Sequence, residues 1–189
     1  MKKHFTIGLK LTVITMVLFG FGYPLFITGV ARLIGPGGGK GETLEVDGKV
    51  VGFKIIGQSF VSDRYFNSRP SAVNYNAAAT GGSNKSNNNP EYLAEVKRRL
   101  DDFLVRNPGI EKSEVPVDLI TASGGGLDPH ISIQAAMVQI KRVARVRNLS
   151  EEQVAQLVRT NTRGPLFGLF GPSHVNVLEL NLALDRASK

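Results

Sequence analysis

The apolar pattern opens on an uncharged run of 21 residues, Leu11 to Ala31 (LTVITMVLFGFGYPLFITGVA). As a helix rising 1.5 Å per residue it spans about 31 Å, the thickness of a hydrocarbon core. Lipid offers the backbone no hydrogen-bond partner, so a crossing segment has to be helical. Pro24 is a candidate kink, and Gly20, Gly22 and Gly29 allow close approach of another helix. The run exceeds the roughly 7–15 apolar residues of a secretory signal, and no clean small-x-small cleavage site follows. A retained anchor is the expectation.

Past the anchor the pattern shortens. GPGGGKG (Gly35 to Gly41) reads as a flexible linker. Leu44 to Val46 and Val50 to Ile56 read as strands joined at Asp47-Gly48, a favoured hairpin turn. Residues 67–90 are rich in Asn, Ser, Ala and Gly without a helical period, a long polar loop and hence a functional candidate. Pro90 opens a helix to about Arg106 with Leu93, Val96, Leu100, Phe103 and Leu104 on one face, stopped by Asn107-Pro108-Gly109. Val117 to Ala122 reads as a short buried strand. Asp128-Pro129 reads as N-cap and first residue of a helix burying Ile133, Met137, Ile140 and Ala144. Lys141, Arg142, Arg145 and Arg147 fall in its C-terminal half, where cations suit the helix dipole. Ser150 with Gln153 forms a capping box for a third helix, about Glu151 to Asn161. Val175 to Leu184 reads as a strand with Leu178, Leu180, Leu182 and Leu184 on one face. The fold class expected is α+β: one N-terminal transmembrane helix followed by a single mixed soluble domain. The layout is a tail at 1–10, a span at 11–34, a linker at 35–41 and a soluble domain at 42–189.

Charge refines this layout. The net charge is +7. Lys2, Lys3 and Lys10 sit in the tail, and all sixteen acidic residues lie from Glu42 onward against twenty Lys and Arg from Arg32 onward. The soluble part is therefore close to balanced. The lysine tail favours a cytoplasmic N-terminus and an extracytoplasmic domain, a bias weakened by Arg32, Lys40 and Lys49. Basic residues are not interleaved with exposed aromatics, so nucleic acid is not an expected partner. There is no cysteine, which excludes disulfides, thiolate catalysis and Cys-based zinc sites.

Candidate chemistry is sparse. Gly39-Lys40 suggests a phosphate loop, but Ile34 and Gly41 stand where that motif needs Gly and Ser or Thr. Ser123, Asp128 and His130 suggest a hydrolase triad, and an anchored exported hydrolase using Ser123 is the alternative reading. The stretch Thr121-Ala122-Ser123-Gly124-Gly125 lacks the first glycine of a nucleophile elbow. His4, His130 and His174 are too scattered along the chain to suggest a metal site. Thr80 to Asn84 and Ser123 to Gly126 are glycine-rich runs able to cradle an anion, though tight turns explain such runs more simply.

Three strings carry a resemblance. They are Gly57 to Phe60 (GQSF) followed by Tyr65 to Asn84 (YFNSRPSAVNYNAAATGGSN), Asp118 to Ser132 (DLITASGGGLDPHIS) and His174 to Leu184 (HVNVLELNLAL). With the anchor, they make the chain resemble, along essentially its whole length, the C subunit of Kdp-type potassium-transporting P-type ATPases. Gly125, Lys85 and Ser86 depart from the family pattern in loops. The resemblance implies a non-catalytic accessory subunit in the inner membrane. Its partners would be a channel-like potassium-translocating subunit and a P-type subunit that hydrolyses ATP, with lipid around the anchor. The family is described as stabilising the complex and as a catalytic chaperone raising ATP affinity in the P-type subunit. No cofactor is expected on this chain itself; ATP and potassium act in the complex. The Asp-Lys-Thr-Gly-Thr phosphorylation motif is absent from the sequence. The candidate partner-contact residues are Tyr65, Phe66, Arg69, Tyr75, Gly81, Gly82, Ser83, Asn84, Ser123 and Asp128.

Overall fold

A computed structural model describes residues 2–188. The chain divides into two units, residues 1–53 and 54–189. In the first, α1 (Lys2–Val17) and α2 (Tyr23–Ile34) are joined by a π-turn, Leu18–Gly22, so one helical rod runs from Lys2 to Ile34 with none of its residues buried. Pro24 lies just past the π-turn, where the chain takes a wider turn (Tyr23 N–H donates to the Leu18 carbonyl). Placing the lost donor beside a π-turn is one way a helix carries proline without breaking. The rod extends beyond the uncharged run at both ends. The glycine segment after it closes as a hydrogen-bonded turn, Pro36–Gly39, with Gly35 N–H on the Ala31 carbonyl at 2.8 Å. β1 (Thr43–Val46) and β2 (Lys49–Phe53) form the expected hairpin. Asp47 and Gly48 both take positive φ (50° and 74°), the type I′ geometry that an Asp-Gly pair favours.

The second unit is mixed α and β, as expected. α3 (Pro90–Arg106) begins where the sequence placed it: Asn89 caps it by accepting the Tyr92 N–H, Pro90 opens it, and Leu100 and Phe103 are buried. α6 (Glu151–Thr160) carries the Ser150–Gln153 capping box, with Ser150 Oγ accepting the Gln153 N–H at 3.1 Å. A three-stranded antiparallel sheet has the order β3 (His130–Ile131), β5 (His174–Asn176), β4 (Thr162–Arg163). Phe66, Leu100, Phe103, Ile131, Val143, Val154, Val158, Val175, Leu180 and Leu184 are all buried in one core.

Four expectations are corrected. Val117 to Ala122 is a 3₁₀ turn (Val117–Leu119) and coil, not a strand. Asp128-Pro129 leads into β3 rather than a helix, so His130 is a strand residue; the helix begins after Ser132, whose Oγ accepts the Ala135 N–H. That helix is broken into α4 (Ile133–Met137) and α5 (Ile140–Arg147), and its buried face runs through Ala135, Ala136, Val138, Ile140, Val143 and Ala144, leaving Ile133 and Met137 exposed. Finally, Val175 to Leu184 is a strand only to Asn176. It then becomes α7 (Val177–Ala187), burying Val177, Leu180, Asn181 and Leu184 at helical spacing. Alternating leucines fit both periods, and Asn176 decides between them. Its Oδ1 accepts the Glu179 N–H at 3.1 Å as a helix N-cap, while its Nδ2 donates to the Lys54 carbonyl at 2.7 Å.

Because buried Asn176 both caps α7 and satisfies a distant carbonyl, Asn176→Ala is expected to cost about 1–3 kcal/mol. Thermal unfolding followed by circular dichroism of the full chain in mild detergent measures it. A loss within experimental error would remove the cap from this account.

Candidate functional site

The polar segment from Gly57 to Asn84 has no regular structure of its own. It stays in place because side chains from the helices reach out to its backbone. Arg142, in the first turn of α5, is almost fully buried. Its Nη1 donates to the carbonyls of Asp63 (2.6 Å) and Tyr65 (3.0 Å), its Nη2 to Gln139 Oε1 (2.7 Å) and Asn67 Oδ1 (3.3 Å), and its Nε to Asn107 Oδ1 (3.0 Å). Burial lowers its pKa to about 10, so it is still protonated at neutral pH. This corrects its sequence reading as one of a set of cations suited to a helix C-terminus. Arg147 is placed as the sequence suggested, at the end of α5, but it too is inward: it pairs with Asp185 at 2.7 Å and lies over the Tyr65 ring at 4.7 Å.

Three amides complete the clamp. Asn181 on α7 accepts the Phe66 N–H at 2.9 Å and donates to the Phe66 carbonyl at 3.0 Å. Gln139 accepts the Asn67 N–H at 2.8 Å, and Asn67 donates to the Phe60 carbonyl at 2.6 Å. With its backbone held on both sides, the Phe66 ring sits in the core at 0% exposure. Phe66 is therefore no partner anchor, which corrects its place among the candidates.

Beyond Phe66 the segment lies along the glycine turn at 123–126. Pro70 accepts the Ser123 N–H, and the Gly81 N–H donates to the Gly125 carbonyl at 3.1 Å. Gly126 has φ of +71°, and a Cβ there would lie 2.7 Å from Val73 Cγ2, so a side chain would push the two loops apart. The two glycine runs thus meet each other; the Gly81 N–H that would cradle an anion is already engaged. Arg69 Nη1 pairs with Asp128 Oδ2 at 3.0 Å, and the Arg69 carbonyl accepts the Tyr75 hydroxyl at 2.6 Å. Burial pushes the Tyr75 hydroxyl pKa up. Asp128 Oδ1 accepts the His130 N–H at 3.0 Å. Burial opposes its ionisation, but these bonds from His130 and the Arg69 guanidinium hold its pKa down at about 2. Arg69, Tyr75 and Asp128 are thus engaged within the domain, and the loop's inner edge is structural. Tyr65 is held likewise, its hydroxyl on Asp185 at 3.1 Å.

The triad geometry is absent. Ser123 is buried, and its Oγ accepts the Asp128 N–H at 3.5 Å. The His130 ring is engaged with Asp128 and, edge-on, with His174 at 4.3 Å between centroids. The two histidines that look scattered in the sequence are thus neighbours, on adjacent strands β3 and β5. No group of three or more metal-ligating side chains occurs among the described residues. Of the ten candidates, Ser83 and Asn84 are exposed, on an outer edge continuing through Asn76 to Thr80 and Lys85 to Asn88.

The sequence alone missed Arg142, Gln139, Asn107, Asn181 and Asn67. A usable signal was present: Gln139 and Arg142 interrupt an otherwise apolar face, and Asn181 interrupts a leucine-rich one. Burying such groups is costly unless each is paired, so unpaired-looking polar residues on a core face imply partners elsewhere in the chain.

Comparison with known proteins gives a consistent result. Residues 5–186 match the family described as "K+-transporting ATPase, c chain". The chain is 55% identical over 185 residues to a potassium-transporting ATPase KdpC subunit of Flavobacterium psychrophilum, covering 98% of each. It is 49% identical over 176 residues to one from Caldanaerobacter subterraneus subsp. tengcongensis, covering 93% of this chain and 91% of the relative. A Bacillus cereus relative of the same name is 40% identical over 182 residues, 96% of this chain and 94% of the relative.

Two measurements test the clamp. Arg142→Met leaves several buried acceptors without a donor and is expected to cost about 3–5 kcal/mol; Arg142→Lys rescues little, because one ammonium cannot reproduce the fork. Both are read as shifts in melting temperature, and a near-neutral Arg142→Lys would contradict this geometry. The second is pH dependence. The carboxyl of Asp128 has a lower pKa folded (about 2) than its ordinary value of 3.8, so the stability it contributes is complete above about pH 4 and is lost as pH falls toward 2. Wild type should therefore lose more stability than Asp128→Asn between pH 4 and pH 2. Parallel slopes for the two would contradict the assignment.

Proposed function

The chain belongs to the family of K+-transporting ATPase c chains, and from that premise we propose that it is a non-catalytic accessory subunit of an ATP-driven potassium uptake pump. It stabilises the complex of a channel-like potassium-translocating subunit with a P-type subunit, and acts as a catalytic chaperone that raises ATP affinity in the latter. The observation that carries this reading is the extent of the family match, which takes in both the apolar helix and the folded unit. The folded unit also supports it. Its buried Gln139, Arg142 and Asn181 are committed to holding a loop in place, and the Ser123 hydroxyl faces a backbone N–H rather than an imidazole.

The rod from Lys2 to Ile34 crosses the inner membrane with its lysine tail in the cytoplasm and residues 42–189 outside. ATP is then on the other side of the bilayer, and the chain acts on nucleotide affinity by a coupling free energy carried through the partner subunits. The contact surface is the outer edge of the loop, which carries Ser83 and Asn84.

The test is a complex purified in mild detergent through a tag on this chain. Wild type is expected to bring down both partners, and a pump lacking the chain to have a raised KM for ATP. Ser83→Glu should lower partner recovery about tenfold, equivalent to about 1.4 kcal/mol, with an unchanged melting temperature. If wild type brings down neither partner, the accessory-subunit reading fails. If Ser83→Glu assembles normally, the contact surface lies elsewhere.

A further inference from the structure

Between β4 and β5 the chain runs Gly164-Pro165-Leu166-Phe167-Gly168-Leu169-Phe170-Gly171-Pro172-Ser173, ten residues without a charge. Elsewhere in the unit's loops large apolar side chains are exposed singly, as Ile55, Val61 and Val117 are, but this loop exposes four within five residues: Leu166 (63%), Phe167 (84%), Leu169 (81%) and Phe170 (66%). A contiguous apolar patch of this kind on a folded unit marks a binding surface. Four of the five N–H groups from Leu166 to Phe170 are bonded within the turn: Leu166 N–H donates to the Phe170 carbonyl (2.8 Å), Phe170 N–H to the Leu166 carbonyl (3.0 Å), Leu169 N–H to the Leu166 carbonyl (3.1 Å) and Gly168 N–H to the Pro165 carbonyl (3.0 Å). Phe167 and Gly168 turn the chain at positive φ.

We propose that this tip, Leu166 to Phe170, inserts into the bilayer interface as a second membrane contact of the chain. Four points on the molecule favour lipid over a protein groove. The tip is a single turn closed on itself, with four leucine and phenylalanine side chains and no polar side chain to give a protein partner specificity. A turn with most of its N–H groups bonded internally has few donors to lose on leaving water, which eases the requirement that lipid imposes and a protein partner does not. Leu and Phe are the residues that amphipathic membrane-binding elements bury at the acyl boundary, and cationic Arg159, in the last turn of α6 before the tip, suits anionic headgroups beside it. Finally, the tip is on the same chain as an apolar helix long enough to span, so the bilayer is present at high effective concentration and a shallow, individually weak contact suffices.

The chain contains no tryptophan, so one introduced residue reports alone. Phe167→Trp, and separately Leu169→Trp, are made in the full chain and reconstituted into vesicles of phosphatidylcholine and phosphatidylglycerol, with or without bromine on the acyl chains. Phe21→Trp, in the helical rod, marks insertion of the anchor, and Val105→Trp, on an exposed face of α3 (82%), marks a water-facing site. The expected result is quenching of both tip tryptophans by roughly twofold or more in brominated vesicles, with blue-shifted emission, while Val105→Trp is unaffected. If the tip tryptophans behave like Val105→Trp while Phe21→Trp is quenched, the proposal is overturned and the anchor is not. If the tip shifts to the blue only on addition of the partner subunits and remains unquenched by bromine, it is likewise overturned, in favour of a protein contact.

Discussion

The folded unit depends on a charge held out of water. Taking a guanidinium from water into a low-dielectric interior costs several kcal/mol even after relaxation, so Arg142 is tolerable only where its N–H groups find acceptors. It finds them mainly on the Asp63-to-Asn67 loop and on Asn107 at the end of α3. One side chain thereby ties α3, α5 and the loop together. The planar fork suits this task, since its donors diverge at fixed angles toward several carbonyls at once. The clamp brings Phe66 into the core, and from Phe66 the segment continues over the 123–126 turn to its exposed edge. The exposed edge is thus the far end of a structure whose origin is an internal charge.

Local signals were legible in the sequence and long-range polar pairing was not. The Asp47-Gly48 hairpin, the Pro90 helix start and the Ser150–Gln153 box each depend on residues within four positions of one another, and each is present. The apolar anchor was legible for the same reason, because length and lack of charge are local properties. Leu178 to Leu184 misled because its alternation satisfies both a period of two and a helix; the Asn176 cap, a contact spanning three residues, carried the answer. Asp128-Pro129 misled differently. Asx capping of the next N–H occurs at strand entrances as well as helix starts, and Arg69, 59 residues away, takes the other oxygen.

The candidate site was half legible. The loop and the glycine turn stood out by composition, and the structure lays one against the other. Which residues face outward could not be read, since Tyr65, Phe66, Arg69 and Tyr75 combine the aromatic and cationic character of an interface with equal aptitude for a core. Burial separates them: Phe66 is enclosed, Arg69 and Tyr75 bond within the domain, and Ser83 and Asn84 remain at the surface.

The clamp also sets when this molecule can exist as a finished object. Phe66 is fastened by Asn181, 115 residues later, and Arg142 reaches back 77 residues to the Tyr65 carbonyl. Contacts so distant in sequence close slowly, after the intervening chain has given up its freedom. A ribosome delivers the chain from its N-terminus, so the anchor and the loop emerge long before α7 does. Until α7 arrives, the Phe66 ring has no enclosure and its backbone amide no acceptor. The anchor can therefore meet other membrane helices during synthesis, whereas the outer face of the loop takes its shape only after the last helix is made. The shaping of that face is ordered by time, with the arrival of α7 as the gate.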